Sequence, residues 1–156
     1  MRSFSQDYQF GLSSEKVVQS QLEKVFGRLI KTDQFFPVDF EGVGVYLEVK
    51  TRTCKKDGYP TTLIPYSKVK FAKECGRDVW FVFVFVDGVY CIQYSHQFDH
   101  YEVKDFVRGF RIGKTDRPQP YVYIPVRDLT SLAAGMVRAG KPTPGVEPSL
   151  MVMERA

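Results

Sequence analysis

The stretch that decides the fold is PVDFEGVGVYLEVKTR, residues 37–52. In its second part apolar residues occupy every other position, which is the pattern of a β-strand with one face in a core. One face holds Val43, Val45, Leu47 and Val49, and the other holds Gly44, Tyr46, Glu48, Lys50 and Arg52. We predict strands over residues 34–40 and 43–52, joined at Glu41-Gly42 by a tight connection or bulge. The charged residues of the second strand therefore share a face.

These charges suit phosphodiester cleavage. That reaction needs an activated water and neutralisation of developing negative charge, and Mg²⁺ bound by a few carboxylates supplies much of both. Asp39 and Glu48 are the candidate ligands, and Lys50, beside Glu48 on the same face, is placed to bind the water or stabilise the charged phosphate. The alternative is that this face is simply exposed to solvent.

A helix is predicted before these strands, over residues 14–26. Ser13 or Ser14 suits its N-cap and Gly27 its end. Its apolar stripe has helical spacing and consists of Val18, Leu22, Val25 and Phe26. Glu15 leads this stripe, so it either points into the candidate site, where it could hold a second ion or a metal-bound water, or complements the helix dipole.

Positive charge is concentrated between Lys50 and Arg77. Eight basic residues stand there against Asp57 and Glu74, so the segment carries a net charge of +6 in a chain of net charge +4. The basic residues are Lys50, Arg52, Lys55, Lys56, Lys68, Lys70, Lys73 and Arg77. Such a patch favours a polyanionic partner, and the alternative is a solvated lysine-rich face.

The rest of the chain predicts further strands around a central one. Residues 53–65 have the composition of a basic loop, and Ser67 is expected to cap a short helix that ends at Gly76. Further predicted elements are a buried strand over Val79–Val86, a hairpin at Asp87-Gly88 with a return strand to Tyr94, a strand pair over 106–112 and 121–126, and a helix from Asp128 to about Ala134. This order predicts an α/β core with a mixed sheet.

Length and composition are those of one folded domain. The chain has 156 residues, of which 44% are hydrophobic, and we assign residues 1–139 to the domain and the Pro-rich residues 140–156 to an extended arm. No apolar run is long enough to span a membrane, and no signal segment opens the chain. The three cysteines form no paired metal spacing, so we expect a reduced, intracellular, cytoplasmic protein.

Pro37-Val38-Asp39, an eight-residue gap and Glu48-Val49-Lys50 together resemble the signature of the PD-(D/E)XK nuclease superfamily. The resemblance covers roughly residues 12–94. It implies a restriction endonuclease-like αβββαβ core, with a central mixed sheet flanked by helices. It further implies that Asp39 and Glu48 bind Mg²⁺ or Mn²⁺ with help from the Val49 carbonyl, that Lys50 is catalytic, and that Glu15 completes the metal site.

The resemblance implies a metal-dependent endonuclease acting on double-stranded or branched DNA, as in phage and archaeal resolvases, restriction enzymes and repair nucleases. The residues expected to hold the phosphate backbone are Arg52, Lys55, Lys56, Lys68, Lys70 and Lys73. A gene carried by a phage or mobile element, and a homodimer bridged by the arm, fit the same picture. The alternatives are a non-catalytic nucleic-acid-binding module of the same fold and an RNA-cleaving nuclease.

The tripeptide itself is not specific, because Glu102-Val103-Lys104 repeats it with Asp99 just upstream. This second copy lacks clear apolar alternation and a comparable gap after the Asp. We therefore predict that it lies on the surface. His96 and His100 have a spacing that would suit zinc on a helix, but no third ligand is evident.

Overall fold

The structure, a computed structural model, describes residues 16–106 and 117–132. Within these residues the chain is a mixed α/β protein with two α-helices and two β-sheets. The elements are α1 (residues 16–26), β1 (Ile30–Lys31), β2 (Phe40–Gly42), β3 (Val45–Thr51), β4 (Thr61–Pro65), α2 (Tyr66–Glu74), β5 (Asp78–Phe85), β6 (Gly88–Gln93), β7 (Glu102–Phe106), β8 (Gln119–Pro125) and β9 (Thr130–Ser131). Short 3₁₀ helices cover Lys56–Gly58, His96–His100 and Val126–Asp128.

The larger sheet is mixed, as the sequence predicted. Its strand order is β1-β2-β3-β5-β6-β9, and β3 runs parallel to β5 while the other neighbours are antiparallel. The smaller sheet is antiparallel, with the order β4-β8-β7. β3 lies between β2 and β5, but β2 pairs only with its first three residues, Val45–Leu47, whereas β5 pairs along all of it. Glu48 and Lys50 therefore lie just beyond the end of β2, where β3 has a strand partner on one side.

Two hydrophobic clusters cover the two faces of this sheet. Leu22 of α1 packs with Leu47 and Trp80 on one face. On the other face, Val69 of α2 packs with Phe81 in a cluster that extends into the smaller sheet. The predicted alternation along β3 is confirmed on the α1 side, and β5 is a central strand buried on both faces, also as predicted.

The strand predicted over residues 34–40 is wrong. Residues 34–39 form turns and bends, and β2 begins only at Phe40. The Thr32 hydroxyl donates to the carbonyl of Val38, and the Thr32 N–H donates to that of Asp39, so this segment folds back on itself. Glu41 and Gly42 belong to β2, and the connection to β3 is the turn at residues 43–44.

Three further boundaries differ from the sequence expectation. Residues 53–65 include a 3₁₀ helix and β4, which pairs with the distant β8. Pro65, not Ser67, occupies the N-cap position of α2. Residues 126–128 form a 3₁₀ turn followed by β9 instead of the start of an α-helix. In the first and third cases pairing with a strand far along the chain, β8 for β4 and β6 for β9, decides the local conformation.

Other boundaries agree. α1 ends before Gly27, whose φ of 82° is the left-handed conformation that suits a helix end, and Gly76 with φ of 78° follows α2 in the same way. The predicted start of α1, including Glu15, lies outside the described residues. The same holds for most of the strand predicted over 106–112 and for the arm at 140–156.

Among the described residues, no helix combines the length and the apolar character needed to cross a membrane.

Candidate functional site

Asp39 is tied to β3 by two hydrogen bonds. Its backbone N–H donates to the carbonyl of Leu47 at 2.9 Å, and its Oδ2 accepts the N–H of Val49 at 2.8 Å. The N–H and C=O of one strand residue point to the same side, so the Val49 carbonyl faces the edge where Asp39 lies. The loop at residues 34–39 thus brings the first predicted carboxylate to the middle of β3.

Glu48 is buried, with 3% of its surface exposed. It lies opposite Phe81 of β5, on the face that α2 covers. The alternative, a charged face exposed to solvent, is therefore wrong for Glu48. Oε2 of Glu48 lies 3.1 Å from Nζ of Lys50 and 3.8 Å from Nζ of Lys68. Oε1 is buried and has no hydrogen-bond partner among the described residues.

Burial raises the pKa of the Glu48 carboxyl above its usual value, and the negative charge of Asp39 raises it further. The ammonium groups of Lys50 and Lys68 lower the same pKa by smaller amounts. Two carboxylates that repel each other in a poorly solvated place favour a cation between them. The structure thus brings together Asp39, Glu48 and Lys50, as the sequence predicted.

Lys68 connects α2 to this group. It stands in the first turn of the helix, and its Nζ donates to the carbonyl of Pro37 in addition to its contact with Glu48. Sequence reasoning placed Lys68 near a bound phosphate but did not foresee its contact with the Pro37 carbonyl, because that contact joins residues 31 positions apart. Lys31 lies 4.0 Å from Oδ1 of Asp39 and was likewise not predicted.

The remaining predicted phosphate-binding residues do not form one uniform surface. Arg52 is partly buried and donates to Oγ1 of Thr62 at 3.2 Å and to the carbonyl of Leu63. Lys56 lies 3.3 Å from Asp57 and Lys73 lies 3.1 Å from Asp99. Lys55 and Lys70 are exposed. Arg52 is therefore held in place by the protein, whereas the exposed lysines extend into solvent.

A metal ligand set beyond Asp39 and Glu48 is not evident in residues 16–106 and 117–132, where no three His, Cys, Asp or Glu side chains converge. Glu15, predicted to complete the set, lies outside these residues. His96 is exposed and 3.9 Å from Asp99, so the described structure gives the zinc alternative no support.

The second Glu-Val-Lys copy lies on β7, an edge strand of the smaller sheet. All five residues of β7 are exposed. Nζ of Lys104 lies 3.6 Å from Oε2 of Glu102. The prediction that this copy is a surface feature is confirmed.

A cleft of about 820 Å³ adjoins Lys50 and was not predicted. Residues of both sheets line it, including Arg52, Tyr59, Phe106 and Tyr123. The alternating Tyr121-Val122-Tyr123 was a weak signal for aromatic side chains on one strand face, but the pairing of β8 with β4 that places them here is not visible in the sequence.

Comparison with known proteins adds no relative, since neither protein-family models, nor curated proteins, nor solved structures match this chain.

Proposed function

We propose that this protein is a metal-dependent endonuclease of the PD-(D/E)XK type that hydrolyses DNA phosphodiester bonds. The observation that carries the proposal is Glu48, a buried carboxylate next to Asp39 and two lysines, with one oxygen that has no hydrogen-bond partner in residues 16–106 and 117–132. A buried charge of this kind is costly unless a partner compensates it. Such costs are characteristic of sites that bind ligands or catalyse reactions.

The residues present fit a divalent cation. Asp39 and Glu48 would hold Mg²⁺ or Mn²⁺, the Val49 carbonyl faces the same strand edge, and Glu15 is the proposed additional ligand. Mg²⁺ in proteins prefers one or two carboxylates and keeps several waters, so two described carboxylates are an adequate set. When bound, the ion supplies Lewis-acid polarisation of the phosphate and lowers the pKa of water.

Lys50 and Lys68 place two positive charges beside Oε2 of Glu48. Both ammonium groups lie within 4 Å of Oε2, and both side chains are only partly buried. An ammonium in this position can bind a non-bridging phosphate oxygen and stabilise the negative charge that develops during hydrolysis. We assign this role to Lys50, with Lys68 positioned from α2 by the Pro37 carbonyl.

The element order supports the same proposal. α1 is followed by the antiparallel strands β1, β2 and β3, then by α2, and then by β5 parallel to β3. We propose that these elements form the restriction endonuclease-like αβββαβ core, with β4 as an insertion before α2. A fold alone does not define an activity, so the site residues carry the argument and the order is secondary.

The decisive experiment is nicking of supercoiled plasmid DNA with Mg²⁺, with Mn²⁺ and with EDTA. We expect metal-dependent nicking by the parent protein, and its loss in Asp39→Asn and Lys50→Met, by at least about 10²-fold, as when one preorganised electrostatic group is removed from a site. Asp105→Asn, an exposed carboxylate on β7, is the control and should cleave like the parent.

Calorimetric titration with Mn²⁺ separates the possible failures. Tight DNA binding without nicking, and without an Asp39-dependent Mn²⁺ site, would favour the non-catalytic binding module. Cleavage of an RNA strand in preference to DNA would favour the ribonuclease. Full activity of Asp39→Asn with Mg²⁺ present would show that the site assignment is wrong.

A further inference from the structure

The cleft beside Lys50 has the size and lining of a small-ligand site. Its volume of about 820 Å³ lies in the range of roughly 300–1,000 Å³ that is typical of ligand pockets, so it has room for a nucleotide but not for a duplex. Basic and aromatic side chains line it: Lys50, Arg52, Lys56, Tyr59, Phe106, Tyr121 and Tyr123. Because Lys50 belongs to both places, the cleft is continuous with the proposed active site.

Arg52 contributes a fixed cation to this cleft. Thr62 and Leu63 accept its hydrogen bonds, and its guanidinium lies 5.6 Å from the centre of the Phe83 ring. No acidic side chain in the described part of the chain pairs with it, and burial lowers its pKa. A partly buried guanidinium that is held in position but has no anionic partner is suited to a phosphate, which Arg binds through planar paired donors.

Two exposed aromatic side chains complete the arrangement. Tyr59 and Phe106 line the cleft and are exposed although they are large and apolar. Phe106 also contacts the ring of Tyr121 edge-on, with centroids 5.7 Å apart. Exposed rings beside fixed positive charge are how proteins bind unpaired nucleic-acid strands, because every base can stack on a ring.

We propose that this cleft binds an unpaired nucleotide of a DNA strand, with its phosphate at Arg52 and its base against Tyr59 and Phe106. The inference rests on the proposed nuclease function and gives it a substrate class, namely DNA that is single-stranded or branched next to the cleaved bond. A base inside an intact duplex is stacked and paired, and its extrusion from the duplex costs free energy. The protein should therefore discriminate against fully paired DNA.

The test is equilibrium binding in EDTA, so that no cleavage occurs. Fluorescently labelled DNA of one sequence is offered as a single strand, as a duplex and as a duplex with an unpaired flap, and anisotropy reports the affinity. We expect the single strand and the flap to bind more tightly than the duplex. Tyr59→Ala and Phe106→Ala should each weaken single-strand binding by about 5- to 150-fold, which corresponds to ~1–3 kcal/mol for one stacked base.

Matched controls are available on the surface. Val86→Ala resembles Tyr59→Ala in exposure (67% against 65%), and Val103→Ala resembles Phe106→Ala (47% against 44%), but neither valine lines the cleft. Both controls should bind DNA like the parent. All four side chains are largely or substantially exposed, so the variants are expected to fold, which circular dichroism would check.

The outcomes separate this inference from the proposed function. Equal affinity for duplex and single strand, or unchanged binding by both aromatic variants, overturns the inference even if the plasmid is nicked with Mg²⁺. Single-strand preference that depends on Tyr59 and Phe106 supports it even if no cleavage occurs. An RNA strand that binds more tightly than DNA of the same sequence overturns the assignment to DNA.

Discussion

The chain contains Glu-Val-Lys twice, and the two copies differ in almost every physical property. Glu48 is 3% exposed on an interior strand, whereas the side chain of Glu102 is 61% exposed on an edge strand. In both copies the lysine ammonium approaches the carboxylate, at 3.1 Å in the first and 3.6 Å in the second. The difference is the surroundings: Asp39, Lys68 and a buried environment in the first copy, and solvent in the second.

Exposed ion pairs contribute little to the stability of the folded state, because water screens the charges and competes for their hydrogen bonds. Burial makes the same charges strongly interacting, and it shifts the pKa of Glu48 upward. The comparison teaches that the tertiary neighbours, and not the tripeptide alone, set the chemical properties of these side chains. It also supplies exposed control residues, Glu102 for Glu48 and Lys104 for Lys50.

The largest expected effect is on catalysis. Glu48→Gln should reduce Mg²⁺-dependent plasmid nicking by at least about 10²-fold, since it removes one of two proposed metal ligands while preserving side-chain size. Glu102→Gln should nick within about twofold of the parent, in keeping with the small effect of most surface substitutions. Initial rates at saturating Mg²⁺ measure both. Equal loss in the two variants would mean that the copies are not functionally different.

A smaller effect is expected on stability without metal. The pKa of Glu48 is raised in the folded state, so the folded protein retains the proton at pH values where the unfolded chain has released it. The contribution of Glu48 to the free energy of unfolding is therefore fully present below pH 4.5, its ordinary pKa. That contribution is lost as the pH rises through the pKa of Glu48 in the folded state. Glu48→Gln, which stays neutral, should therefore melt at a higher temperature than the parent at pH 8.

Thermal unfolding in EDTA at pH 4, 6 and 8 checks this, with about 2–4 °C expected per kcal/mol for a chain of this size. The gap between Glu48→Gln and the parent should shrink toward pH 4. Glu102→Gln, in the exposed copy, should show no such pH-dependent gap. A Gln variant less stable than the parent at pH 8 would contradict the cost of the charged Glu48 carboxylate that burial and Asp39 impose.

The smallest effect is expected on DNA affinity. Lys55 and Lys70 are exposed in the basic segment that follows the first copy, whereas Lys104 belongs to the second. Lys55→Ala and Lys70→Ala should each reduce the slope of log K against log salt concentration by about 0.9, the value for one phosphate contact. Lys104→Ala should leave the slope unchanged. Anisotropy titrations at several salt concentrations decide, and a uniform slope in all three variants would argue against the basic segment as the DNA contact.

Sequence reasoning recovered those parts of the fold that have local signals. The alternation along β3, the hairpin after β5 and the glycines after α1 and α2 were all readable, because each depends on residues close together in the chain. β4 was missed because its stability comes from pairing with β8, about 60 residues later. The strand prediction for residues 34–39 was wrong because this segment is bent by hydrogen bonds to Thr32 and to β3. Both partners lie outside the segment, so its own residues do not reveal the bend.

By itself, the sequence determined which residues of the candidate site to consider, namely Asp39, Glu48 and Lys50, since their spacing and strand alternation are local properties. Only the tertiary structure decided that Glu48 is buried and that Lys68 and Asp39 lie near it. The same is true of the position of Arg52, which lines a cleft with aromatic side chains. The physical reason is that burial and electrostatic coupling depend on which distant segments pack together. Two identical tripeptides in one chain therefore have different environments.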